Sequence, residues 1–182
     1  MLSPSDFFES LRIVRRVWVV VLLVGLTAGC GTETTDWAPL EPRVPAPDFV
    51  LPALDGGPVR LSDLRGNLVV IEFWATWCGP CRYSTPSLEV IFRRFRDRGV
   101  SVLLVNQGES AEQITRWSER RFTAPILLDQ EFRVAKHYGL QGIPRLFVID
   151  REGRIVYDKS GYGGGLEQNL RVILTQLLAE GT

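Results

Sequence analysis

The run Leu68-Val69-Val70-Ile71-Glu72-Phe73-Trp74, followed at once by Ala75-Thr76-Trp77-Cys78-Gly79-Pro80-Cys81, constrains this chain more than any other stretch. Its residues are almost wholly apolar, with no alternation that would leave one face wet. A strand of that kind is buried on both sides, so it belongs in the middle of a sheet covered by helices. The residues after it read as a helix from about Gly79 to Arg98, closed by Gly99, because glycine accepts the left-handed conformation that ends helices. Pro86 falls inside that helix and is expected to kink it.

The remainder alternates strand and helix, which is the pattern of an α/β fold. Asp55-Gly56-Gly57 is a turn before a short strand, Val59 to Leu61, and Val100 to Asn106 is a second buried strand. Ser110 to Arg121 reads as an amphipathic helix with Ser110 as its N-cap. Ile126 to Leu128 and Leu146 to Ile149 read as strands, with a short helix from Glu131 to Tyr138 between them, ended by Gly139. Asp150-Arg151-Glu152-Gly153 turns the chain into a strand from Arg154 to Asp158. Leu166 to Ala179 closes the pattern as a helix with Leu170, Ile173, Leu174 and Leu177 on one face.

Only three cysteines occur, Cys30, Cys78 and Cys81, too few for a disulfide scaffold. A zinc site built on Cys78 and Cys81 needs a second pair of ligands, and the chain offers only the distant Cys30 and its one histidine, His137. A purely structural disulfide across two residues would constrain little chain. A dithiol redox pair fits better. Cys78 sits where a strand turns into a helix, so the unpaired amides of the helix start favour its thiolate. Cys81 lies three residues on, on the same helical face and within bridging distance. Cys78 is expected to be exposed and to attack a substrate disulfide; Cys81, more buried, then attacks Cys78 and releases the product. The sequence calls for no metal and no cofactor: Gly163-Gly164-Gly165 is a loop without the lysine or the strand–helix context of a phosphate site. The 21 basic and 21 acidic residues cancel, so no global field draws the protein to nucleic acid.

The N-terminus accounts for the odd cysteine. Arg12, Arg15 and Arg16 precede an uncharged run from Val17 to Gly29, which ends in Leu26-Thr27-Ala28-Gly29-Cys30. A basic segment, a short apolar core and small residues before a cleavage point describe an export signal, and the run is too short to span a bilayer. Cysteine after Ala-Gly also resembles the bacterial lipoprotein signal, in which it is lipidated and anchors the chain to the membrane. The expected organisation is a signal over 1–29, a Pro-rich tether over 30–47 and one domain over 48–180. On this reading the protein is bacterial, extracytoplasmic and membrane-anchored, on the periplasmic side if the host has two membranes.

Glu72-Phe73-Trp74-Ala75-Thr76-Trp77-Cys78-Gly79-Pro80-Cys81 resembles the thioredoxin active site. The wider frame resembles the membrane-tethered thiol-disulfide oxidoreductases of the TlpA/ResA type. The likeness is carried by Ala46-Pro47-Asp48-Phe49-Val50-Leu51, Leu61-Ser62-Asp63-Leu64-Arg65-Gly66, Val105-Asn106-Gln107-Gly108-Glu109-Ser110 and Gly142-Ile143-Pro144-Arg145-Leu146-Phe147-Val148-Ile149-Asp150. It implies a thioredoxin-like fold: a central mixed sheet flanked by helices, with an N-terminal β extension and a central αβ insertion. It also implies that Pro144 is a cis-proline facing the cysteines, leaving the backbone of Ile143 free to pair with an extended substrate beside Cys78. Trp77, Gly79 and Pro80 would border the substrate, with Trp77 as a flat apolar surface and Trp74 packed in the core.

Two positions depart from the ResA pattern. Ser84 stands where ResA-like proteins often carry a glutamate, and Glu72 stands where thioredoxins have a buried aspartate. Glu72 is therefore the expected base for Cys81, because burial raises a carboxyl pKa toward the working pH. Arg145 and Arg82 are candidates for placing positive charge near Cys78. The implied activity is reduction of protein disulfides outside the cytosol, since Gly-Pro between the cysteines resembles thioredoxin, a reductant at about −270 mV. Implied partners are apocytochrome c haem-binding cysteines in cytochrome c maturation, copper-site assembly proteins, and a membrane thiol-electron transporter as reductant. Alternatives are a disulfide oxidase or isomerase and a Cu(I)-binding assembly chaperone. A peroxiredoxin-like peroxidase lacks the Thr and Pro expected before its cysteine.

Overall fold

A computed structural model describes residues 37–118 and 121–180. The signal segment and Cys30 lie outside them. Six strands form one sheet in the order β1-β8-β7-β4-β5-β6. Their ranges are β1 Val44–Pro45, β4 Leu68–Trp74, β5 Val100–Gln107, β6 Ile126–Asp129, β7 Arg145–Ile149 and β8 Arg154–Ser160. A separate antiparallel pair joins β2, Val50–Leu51, to β3, Val59–Arg60. Strand β4 is central as its composition demands: all seven residues are buried, with β5 parallel on one side and β7 antiparallel on the other.

Alternation along β4 sorts the core into two layers. Leu68, Val70 and Trp74 point to one face, where they pack with Leu88, Ile91 and Phe95 of α1 (Cys81–Phe95) and with Leu170, Ile173, Leu174 and Leu177 of the C-terminal helix. Val69, Ile71 and Phe73 point to the other, against Phe49, Leu51, Leu61, Val134 and Ala135. Glu72 takes the parity of Val70 and Trp74, so strand geometry alone sends its carboxyl under α1.

The helices follow the expected spacing with shifted ends. Helix α1 runs through Pro86 and continues as a 3-10 turn, Arg96–Arg98, before Gly99 at φ 78°. Helix α2 covers Ala111–Ser118. Ser110 and Gln113 exchange backbone-to-side-chain hydrogen bonds of 2.9 and 3.3 Å at its start, a capping box. Helix α3 is Arg133–His137 and α4 is Leu166–Glu180. No helix among the described residues is long and apolar enough to cross a membrane.

The Pro-rich stretch behaves differently from the free tether expected up to residue 47. From Trp37 onward it is bound to the domain. Trp37 is buried, Leu40 N donates to Val156 O at 2.7 Å, and β1 pairs with Ile155 and Arg154 of β8. At the opposite edge, Leu54 N donates to Ile126 O and Leu128 N to Pro52 O. The start of β8 is thereby paired with the two-residue β1, and β6 with the Pro52–Leu54 segment, which shortens the unpaired edges that invite aggregation.

Candidate active site

Cys78 and Cys81 form a disulfide with their Cα atoms 5.3 Å apart. It sits where β4 ends and α1 begins. Cys78 N donates to Ala75 O at 3.2 Å, closing the turn, and Cys81 N donates to Cys78 Sγ at 3.3 Å. That amide belongs to the unpaired set at a helix start, so it is aimed at the sulfur that must carry negative charge after reduction. The expectation of an exposed Cys78 needs correction: it is 4% exposed against 0% for Cys81. Both sulfurs belong to the same buried cluster as Trp74. Trp77 is 68% exposed, so it presents the flat apolar face beside the pair while Trp74 fills the core, as the sequence suggested.

Glu72 is wholly buried beneath the first turns of α1. Its Oε2 accepts a hydrogen bond from Thr85 Oγ1 at 2.9 Å, one helical turn beyond Cys81, and its Oε1 has no hydrogen-bond partner. Burial pushes its pKa up from 4.5 to about 7. Ser84 Oγ itself donates to the Cys81 carbonyl at 3.5 Å. No lysine or arginine pairs with Glu72 among the described residues. A carboxyl in that state can take a proton near neutral pH.

The Ile143–Pro144 bond is cis. Phe73 of β4 pairs with Arg145 of β7, so Pro144 falls at the end of β4 from which the cysteine turn departs. The loop after β8 closes the same corner: Gly161 N donates to Pro144 O at 2.8 Å, and Tyr162 stacks on Tyr83 of α1 with centroids 6.0 Å apart. Tyr83 and Tyr162 are 67% and 41% exposed. They form an exposed aromatic pair at that corner. Tyr83 stands two residues after Cys81, a readable signal; Tyr162 could be found only from the fold.

Arg145 does not serve the cysteines. It shares the face of Phe147, over whose ring its guanidinium lies at 5.7 Å, and it donates to Asp158 Oδ2 at 2.6 Å. Strand alternation puts that face opposite the cysteine cluster. Arg82 is exposed on α1, and His137 is an exposed residue of α3, remote in topology from the pair.

Glu109 is a residue that sequence reading missed as part of the site. Its buried carboxylate accepts from Thr76 N at 2.7 Å, from Thr76 Oγ1, and from Asn106 Nδ2 at 2.7 Å. It therefore clamps the turn that carries Trp77 and Cys78 to the end of β5. Glu109→Ala would leave these donors without an acceptor. Stability is expected to drop by about 3 kcal/mol, read as a lower denaturant midpoint with an unchanged slope.

A model of the AhpC/TSA family matches residues 42–158. The thiol-disulfide oxidoreductase ResA of Geobacillus thermodenitrificans is 35% identical over 150 residues, covering 79% of this chain and 84% of that protein. ResA of Halalkalibacterium halodurans is 33% identical over 124 residues, covering 68% and 69%. Among solved structures, a candidate thiol:disulfide interchange protein DsbE of Chlorobium tepidum superposes with a TM-score of 0.68 at 30% identity, covering 79% of this chain and 99% of that one. The paired cysteines, the thioredoxin-like sheet and these relatives converge: the chain belongs to the AhpC/TSA family of thioredoxin-fold proteins, as a ResA-like thiol-disulfide oxidoreductase.

Proposed function

We propose that the protein is an extracytoplasmic, membrane-anchored reductase of protein disulfides. The observation that supports the reading is the Cys78–Cys81 pair at the start of α1 with the pKa-raised carboxyl of Glu72 buried against Thr85 of the same helix. The reduced pair begins the reaction. The Cys78 thiolate attacks one sulfur of a substrate disulfide; a Cys78–substrate bond forms as the substrate S–S bond breaks, and the leaving thiolate is protonated by water. Cys81 gives its proton to Glu72 and attacks Cys78 Sγ. The Cys78–Cys81 bond forms as the mixed disulfide breaks, and the second substrate sulfur leaves as a thiolate that takes a proton from water while Glu72 returns its own to solvent. The substrate has gained two electrons and two protons, and the enzyme is left oxidised.

Trp77, Gly79, Pro80, Ile143 and Pro144 border the attacked sulfur, with the Ile143 backbone pairing to an extended substrate segment. Refilling the pair takes an external thiol reductant, for which a membrane thiol-electron transporter is the proposed source. The export-like segment before Cys30 supports an outward location and a lipid anchor at that residue. Cysteines wrongly oxidised outside the cytosol are the proposed substrates, including those of apocytochrome c and copper-site assembly proteins.

The direction is tested by equilibrating the protein with dithiol buffers of known potential. The expected value lies near the about −270 mV of thioredoxin. A value near about −120 mV, that of a strong oxidant, would make the protein a disulfide-forming enzyme instead.

A further inference from the structure

An open groove of about 420 Å³ lies beside the first turns of α1, lined by Arg82, Pro86, Arg116, Trp117, Arg121 and Phe122. Its wall brings three guanidinium groups together, and among the described residues no carboxylate lines it. Arg82 directly follows Cys81. Arg116 and Trp117 come from α2, and Arg121 and Phe122 from the segment after it. The aromatic part of the groove packs onto the core: Phe122 stacks on Trp117 at 5.4 Å, and Trp117 leans on Trp74 at 4.9 Å. Trp74 in turn belongs to the buried cluster that holds Cys78 and Cys81.

The groove is built and held. Arg121 donates through Nε to Ser118 O at 3.3 Å and through Nη2 to Trp117 O at 2.9 Å. Those carbonyls orient the guanidinium without cancelling its charge. The wall behind it is pinned by the Glu89 carboxylate, which accepts from Thr123 N at 2.9 Å and from Ala124 N at 3.0 Å. Glu112, one turn before Arg116, is exposed, and such a pair is weak in water. A guanidinium presents a planar fork that matches a carboxylate, and clustered cations draw anionic segments into encounter.

We propose that this groove selects acidic polypeptide substrates by taking carboxylate side chains that flank the disulfide attacked by Cys78. The proposal rests on the disulfide-exchange reading above. A segment seated at Trp77 and Cys78 carries its neighbouring residues over the first turns of α1, where Arg82 stands, and the chemistry there suits aspartate and glutamate.

The test uses the full chain, kept reduced by dithiothreitol, and two peptides of equal length with the same internal disulfide. Glutamates flank the disulfide in one, glutamines in the other. At low salt the glutamate peptide is expected to show about fivefold higher kcat/KM, the size of two exposed ion pairs, with the ratio falling toward one as salt screens them. In Arg82→Gln/Arg116→Gln/Arg121→Gln the ratio is expected near one at every salt concentration. Equal kcat/KM for both peptides in the wild type at low salt would overturn the proposal while leaving disulfide exchange intact, and so would a preference that survives the triple replacement. Failure to reduce either peptide would overturn both readings.

Discussion

Cys81→Ser is expected to lose steady-state reduction of protein disulfides by about three orders of magnitude or more, while a first attack by Cys78 still goes through. Cys81 is wholly buried and Cys78 keeps the only residual exposure of the pair. Of the two, Cys78 is therefore the one expected to meet a substrate. Without Cys81 nothing resolves the mixed disulfide, and one substrate chain per protein molecule should accumulate on Cys78, visible by mass under non-reducing conditions. Cys78→Ser should lose both the attack and the adduct. Turnover that persists in Cys81→Ser would mean that resolution does not run through the 78–81 bond.

Glu72→Gln is expected to slow resolution of the mixed disulfide by about a hundredfold at neutral pH. The wild-type rate should rise through an apparent pKa of about 7, the value that burial gives Glu72, and the variant should lose that inflection. A wild-type resolution rate in Glu72→Gln would remove the carboxyl from the proton path. The same residue has a stability signature whose sign is fixed. Between pH 4.5 and about 7 the folded carboxyl holds its proton while the unfolded one has released it. Wild-type stability therefore falls as pH rises through that window and levels off above it, by about 3 kcal/mol in all. Glutamine has no proton to lose, so Glu72→Gln should gain on the wild type by that amount between pH 4 and pH 8. A stability difference that does not move with pH would mean that Glu72 titrates like an ordinary surface carboxyl.

The strand over Leu68–Trp74 was legible to the residue because seven buried positions in a row admit one environment only, and that strand fixes where Cys78 and the parity of Glu72 must fall. The helix start, the left-handed Gly99 and the cis bond at Pro144 follow from local chemistry or from the family likeness. What the sequence hid depends on partners far along the chain. Val44–Pro45 reads as tether because proline-rich chain is extended, and an extended chain is also what an edge strand requires; only the hydrogen bonds to β8 distinguish the two. Arg145 looked like a neighbour of the cysteines because it follows Pro144, but strand alternation turns it to the other face, where Asp158 waits thirteen residues on. Glu109 lies 33 residues from the threonine it clamps, a distance that no spacing rule covers.

Capture in the native host tests the central claim most directly. Cys81→Ser, expressed from its own N-terminus, should come out of the cell joined through Cys78 to cysteine-bearing proteins of the extracytoplasmic space, released by dithiothreitol and absent from Cys78→Ser. Recovery of no mixed disulfide, or of cytosolic proteins alone, would contradict a reductase of protein disulfides working outside the membrane.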